Sequence, residues 1–165
     1  MTSKTDAAAG SITDMFAEPR DGFGTEPNVQ VLTMADVMSE FHDGPHATPP
    51  ESETGPIYLG IKNLTPHGLL DLSQVRRISE EDWGQWTKRV TPQPGDIVFS
   101  YEATLHRYAI IPKGFRGCLG RRLALIRPDP TVVSTDFLMY SLLSPQWRAT
   151  IESNINIGST VDRIP

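Results

Sequence analysis

Cysteine is almost absent. Cys118 stands alone in 165 residues, which excludes an internal disulfide and any multi-cysteine zinc site and suits a reducing compartment. Long apolar runs are missing too. No stretch approaches the roughly 18 residues that span a bilayer, and the N-terminus has no basic-then-apolar signal pattern. A cytoplasmic chain without a membrane partner is expected. No Gly-rich phosphate loop, no Ser/His/Asp set in a recognisable context and no Cys/His pair is present, so no cofactor is expected. Positive charge is in deficit, with a net charge of −5, and taken whole this argues against a polyanionic partner. Turn residues are plentiful. Fourteen Pro and thirteen Gly favour a β-rich or mixed fold over a helical bundle, and 38% hydrophobic residues allow one core plus a tail.

The charge is unevenly spread. In residues 1–56, Lys4 and Arg20 face Asp6, Asp14, Glu18, Asp21, Glu26, Asp36, Glu40, Asp43, Glu51 and Glu53. The remainder is mildly basic. The strongest bias lies in Ser100–Arg127, where Arg107, Lys113, Arg116, Arg121, Arg122 and Arg127 oppose Glu102 alone. This stretch also has strand chemistry. Pro94-Gly95-Asp96 is a turn, Ile97–Tyr101 and Arg107–Ile111 are β-branched and aromatic runs, and Arg121–Arg127 is a third run after a Lys-Gly loop. Short strands with Gly/Pro punctuation predict an antiparallel meander. Arginines beside aromatics on such a sheet make a nucleic-acid face.

Around that meander the elements follow in order. Residues 1–28 hold few large apolar residues and are expected to be a disordered acidic tail, apart from Ile12, Met15 and Phe16, which can dock as a short turn. Val29–Leu32 reads as a strand. Thr33 with Asp36 reads as a capping box for a helix carrying Met34, Val37, Met38 and Phe41, ended by Gly44-Pro45. Ile57–Ile61 and Leu69–Leu72 read as strands around a Pro66-His67-Gly68 turn. Ser79 followed by Glu80, Glu81 and Asp82 is a helix start, with Trp83 and Trp86 on one face. Ser134 caps a helix over Asp136–Leu143, and Ser144-Pro145 opens another over Gln146–Ser153 with Trp147 and Ile151 inward.

Several residues invite catalytic readings that the pattern does not support. His42 and His46 are four apart, but Gly44-Pro45 keeps them off one helical face and no third ligand is in register. Asp96 with Glu102 resembles part of a metal-nuclease set, yet the lysine such a set needs is missing. Cys118 has no base partner nearby and reads as packing. Asn63 is either a local turn residue or a base contact.

The order of six short motifs resembles the target recognition domain of the specificity subunit of type I restriction-modification systems. They are Gly55–Leu64, Gly95-Asp96-Ile97-Val98-Phe99-Ser100, Arg107–Ile111, Arg121–Pro128, Phe137–Ser144 and Ile157-Gly158-Ser159-Thr160. The resemblance implies an α+β fold, an irregular β-rich core flanked by helices. Residues 29–165 would be one DNA target recognition domain, short of the spacer helix that follows it in the family. The implied function is non-catalytic, sequence-specific recognition of half of a bipartite DNA site. The implied partners are double-stranded DNA, modification (methyltransferase) and restriction subunits, and a second recognition domain. On this reading Arg107, Lys113, Arg116, Arg121 and Arg122 grip phosphates, with Arg107, Arg121 or Arg122 also available to a guanine. Lys62, Asn63 and His67 in one loop would approach bases or phosphates, with Asn63 a candidate for an adenine, and Tyr101, Thr104 and His106 in another are the next choices. The rival is a protein-interaction module, or a DNA mimic built on the acidic first third, that binds a modification subunit without reading DNA. A small enzyme using Asp96, Glu102 and a histidine is a third reading.

Overall fold

The structure, a computed structural model, describes residues 30–154. The tail expected over residues 1–28 and the motif Ile157–Thr160 lie outside the described residues. Among the described residues, two sheets and four helices make an α+β domain. In chain order they are α1 (Met34–Val37), β1 (Met38–Asp43), β2 (Ser52–Leu59), a 3-10 turn (Ile61–Asn63), β3 (Arg76–Arg77), α2 (Trp83–Trp86), β4 (Ile97–Ser100), β5 (Tyr108–Ile110), β6 (Gly117–Leu119), β7 (Leu123–Pro128), α3 (Thr135–Leu143) and α4 (Pro145–Glu152).

The larger sheet has the order β1-β7-β4-β5, with every pair antiparallel. Successive side chains of a strand point to opposite faces, and here both faces are covered. Ile97, Phe99, Ala124 and Ile126 meet Leu138 and Met139 of α3 and Ile151 of α4. Val98, Leu123 and Leu125 on the other face meet Leu59, Leu64 and Leu119. Burial on both sides explains why Ile97-Val98-Phe99 is apolar without alternation. The smaller sheet, β3-β2-β6, pairs β2 antiparallel with β3 and parallel with β6. The helices are capped as their sequences predict. The Ser134 hydroxyl accepts the Phe137 N–H and the Ser144 hydroxyl accepts the Trp147 N–H, with Pro145 at the first helical position. The Trp147 indole N–H donates to the Tyr108 hydroxyl at 3.0 Å and fastens α4 to β5. Burial pushes the Tyr108 phenol up to about 12.

Five expectations are corrected. The meander is reordered. After β5 the chain leaves the larger sheet, passes through β6 in the smaller one, and returns as β7 on the opposite side of β4. The segment read as a Lys-Gly loop therefore contains a strand, and glycines let it pack. A Cβ at Gly117 would lie 2.5 Å from the Ile57 carbonyl oxygen, and one at Gly120 would lie 2.1 Å from that of Leu59. The helix expected from Thr33 to Phe41 lasts one turn. The Thr33–Asp36 capping box forms, but from Met38 onward the chain pairs with β7 instead, and the Phe41 ring packs 6.2 Å from that of Phe99. Long-range pairing overrides local propensity there. Residues 30–32 form no strand, and Leu69–Leu72 contributes a single bridge, Leu64 to Leu70. The helix opened by Ser79 is only the turn Trp83–Trp86, although the Ser79 hydroxyl does accept the Asp82 N–H.

One ion pair runs across the larger sheet. Arg127 on β7 donates from Nε and Nη2 to the two Asp96 oxygens, at 2.8 and 2.9 Å, and from Nη1 to Glu40 of β1 at 2.7 Å. Asp96 also accepts the Gln93 N–H at 2.7 Å and is 2% exposed. Asp96 first, then Glu40, raise the affinity of the Arg127 guanidinium for its proton. Asp96, weighed above as a catalytic acid, is thus a buried acceptor that ends the turn into β4. Asp96→Ala should lower stability by about 3 kcal/mol, the low end for stripping one partner from a buried pair, since Glu40 remains on Arg127. A urea unfolding midpoint measures it.

Candidate nucleic-acid interface

The basic residues separate according to the strands that carry them. Arg127 is consumed in the sheet. At the start of β6, Arg116 donates to both oxygens of Glu80 at 2.6 Å, and its guanidinium lies 4.7 Å over the Trp83 ring. Arg116 holds the Glu80 carboxyl below its ordinary range. Lys113, exposed, belongs to the same end. Arg121 and Arg122 follow the other end of β6, a three-residue strand that rises about 10 Å. The Lys113–Arg122 stretch, read as one grip, is therefore divided between two ends of a strand.

At the Arg121 end three segments converge: Gly60–Asn63 after β2, Tyr101–Arg107 between β4 and β5, and Gly120–Arg122 before β7. The backbone of the two arginines is fixed from both sides. The Tyr101 hydroxyl donates to the Arg121 carbonyl at 3.0 Å, the Tyr101 N–H to the Arg122 carbonyl at 3.3 Å, and the Arg121 N–H to the Tyr58 hydroxyl at 3.2 Å. Beside them is a groove of about 250 Å³ lined by Tyr58, Gly60, Ile61, Arg121, Arg122 and Leu123. Among the described residues the exposed Arg121 side chain meets no carboxylate. Arg122 Nε lies 3.3 Å from Glu102 Oε1, near enough for attraction yet out of line for a hydrogen bond, so a buried donor is left unmatched. Lys62, exposed, sits in the 3-10 turn that begins beside this groove.

Two expected base-reading residues are corrected. Asn63 is 2% exposed. Its Oδ1 accepts the Gly60 N–H, and its Nδ2 donates to the carbonyls of Asp71 and Gln74, at 3.0 to 3.1 Å. Its amide holds the loop together and does not reach solvent. Tyr101 is buried as well and serves the platform just described. His67 lies apart, in a groove of about 410 Å³ against α3 with Gly68, Ile110, Met139, Tyr140 and Leu143. Nothing in the local sequence marked Tyr58 or Gly60 as wall residues. They were legible only as part of a strand and its end.

The Tyr101–Arg107 connection is strained. Ala103 and His106 adopt φ of 70° and 60°, a left-handed backbone unusual outside glycine. Thr104 is exposed at its tip, and its carbonyl accepts the Ser100 hydroxyl. Arg107 is half-buried, and its Nη1 is enclosed with no hydrogen-bond partner. The His106 ring packs toward α4, 3.6 Å from Glu152. Burial, then repulsion from Arg148, lowers its pKa against a smaller pull from Glu152.

No family model matches the chain, and no curated protein matches it. Solved structures do. The HsdS subunit from Thermoanaerobacter tengcongensis aligns with a TM-score of 0.57 at 17% identity, over 93% of this chain and 38% of that one. A structure from work on complex assembly and conformational transition of the type I R-M system aligns with a TM-score of 0.51 at 21% identity, over 82% and 33%. The chain spans about a third of the length of these structures. At such identities the likeness is one of fold, and the fold is similar to that of a segment of the HsdS subunit. Among the described residues no helix is long and apolar enough to cross a membrane.

Two outcomes test the local geometry. Asn63→Ala removes three internal hydrogen bonds and strands buried backbone groups, so it should lower stability by about 2 kcal/mol, seen as an earlier denaturant midpoint. His106 titrates below the ordinary imidazole value of 6.5. Above that value the ring is neutral in both states and the stability is fully present. As pH falls, the unfolded chain takes up the proton first and stability is lost. His106→Asn, which tolerates left-handed backbone, should flatten the change in melting temperature between pH 6.5 and pH 5.

Proposed function

We propose that this chain is a DNA-reading domain that recognises half of a bipartite site for a type I restriction-modification assembly and performs no chemistry itself. The observation that carries this reading is the fold shared with the HsdS specificity subunit. The groove beside Arg121 supplies a surface with suitable chemistry. Lys62, Arg121 and Arg122 at one end of β6, with Lys113 at the other, are set to neutralise phosphates and fix register. Arg107 and Thr104 in the strained connection are the side chains offered to base edges, together with Arg121, whose planar fork matches guanine O6 and N7. Arg116 takes no phosphate on this reading, since Glu80 already holds it. Methylation and cleavage belong to modification and restriction subunits, and a second recognition domain reads the other half-site.

A second reading, a protein-interaction module that binds a modification subunit, is favoured by the outer face of α3. Phe137 is 67% and Tyr140 77% exposed, three residues apart on one helix, which is unusual for large apolar side chains set together. The DNA-mimic version of that reading rests on an acidic first third of which residues 1–29 lie outside the described residues. Between residues 30 and 56, Asp36 is bonded to Thr33, Glu40 to Arg127, Asp43 to Arg89, and Glu51 to Arg76. A mimic needs free carboxylates in array.

Selection on random duplex DNA, with and without a modification subunit, decides between the two. Enrichment of a short motif supports the DNA reader, and recovery of the complex with no enriched sequence supports the protein module. Arg121→Ala should weaken duplex binding and reduce the slope of log affinity against log salt by about 1. Arg116→Ala should leave that slope unchanged.

A further inference from the structure

Resting on the DNA-binding reading, we infer that Glu102 is a built-in competitor for the phosphate seat: its carboxylate occupies Arg122 in the free protein and yields it to a backbone phosphate of the duplex. Arg122 borders the groove and its backbone is held by the Tyr101 N–H, so the side chain has a fixed origin and a choice of partners. The partner it has is a poor one. Glu102 Oε1 stands 3.3 Å from Nε, and Nε is buried yet makes no hydrogen bond. A guanidinium bound for its own sake is held as Arg116 is held, by two in-line bonds of 2.6 Å. An unmatched buried donor costs about 1–3 kcal/mol, and a phosphate oxygen in the groove would remove that penalty.

Glu102 lies on the connection in which Ala103 and His106 hold left-handed φ angles, and its half-buried carboxylate can leave Arg122 by a change of side-chain rotamer. Arg121, next in the chain and meeting no carboxylate among the described residues, adds charge to the same groove and favours the incoming anion. The exchange is a displacement of one anion by another, with no bond made or broken.

The test is a double-mutant cycle on the full chain, using a mixed-sequence DNA duplex at fixed salt as probe. Glu102→Gln should tighten binding on the order of tenfold when Arg122 is present, and threefold or less in the Arg122→Ala background, where only the general loss of a negative charge near DNA remains. An equal effect in both backgrounds, or weaker binding by Glu102→Gln in a chain with unchanged melting temperature, overturns the inference and leaves the DNA reading standing. A lowered melting temperature for Glu102→Gln shows that the pair serves the fold and overturns it equally. If none of the four chains binds duplex with salt-dependent affinity, the DNA reading fails and the inference falls with it.

Discussion

The Arg127–Asp96 pair is the constraint on which the larger sheet depends. Asp96 is buried, and a buried carboxylate is tolerated only when its charge is matched and its lone pairs are used. Arg127 and the Gln93 N–H do both. Because Arg127 also reaches Glu40, one guanidinium ties together β1, β7 and the turn into β4. A one-residue slip of β7 would turn Arg127 to the opposite face and leave Asp96 unpaired. The pair therefore selects the register that sends Ile97 and Phe99 toward the helices and Val98 toward the smaller sheet.

That register also sets where the loops emerge. With β4 and β7 antiparallel and Ser100 opposite Leu123, the Tyr101–Arg107 connection and the Arg121–Arg122 turn must leave the sheet side by side. The parallel pairing of β2 with β6 then brings Gly60 to the same end. Two tyrosines bind the backbone of the arginines, so the exposed Arg121 side chain and the Arg122 side chain against Glu102 both start from a fixed origin. Under the proposed reading that settles positioning before the ligand arrives.

The remaining surface has a different chemistry. The helices cover the opposite face of the larger sheet with Leu138, Met139 and Leu142 and turn Phe137 and Tyr140 outward. A groove bordered by arginines at one end of the strands and an apolar helix face lie on separate elements. Under the proposed reading, duplex binding and docking on a protein need not compete for the same side chains.

What the sequence determined by itself is local chemistry and the order of motifs. Thr33, Ser134 and Ser144-Pro145 mark helix starts because a capping hydroxyl needs only residues three positions away. The β-branched and aromatic run Ile97–Tyr101 marks a strand, and the succession of weak motifs pointed to the right fold. Only the tertiary structure decided the rest. Residues 38–43 fit a helix by spacing but form a strand because β7 offers a partner. Gly117–Leu119 is too short to announce a strand until β2 lies beside it. The arginines looked alike in sequence, yet Arg127 found Glu40 at a separation of 87 residues and Arg116 found Glu80 at 36, while Arg121 found no carboxylate among the described residues. Ion pairing acts through space, so which cations are spent on the fold and which remain for a ligand is settled only when distant segments meet.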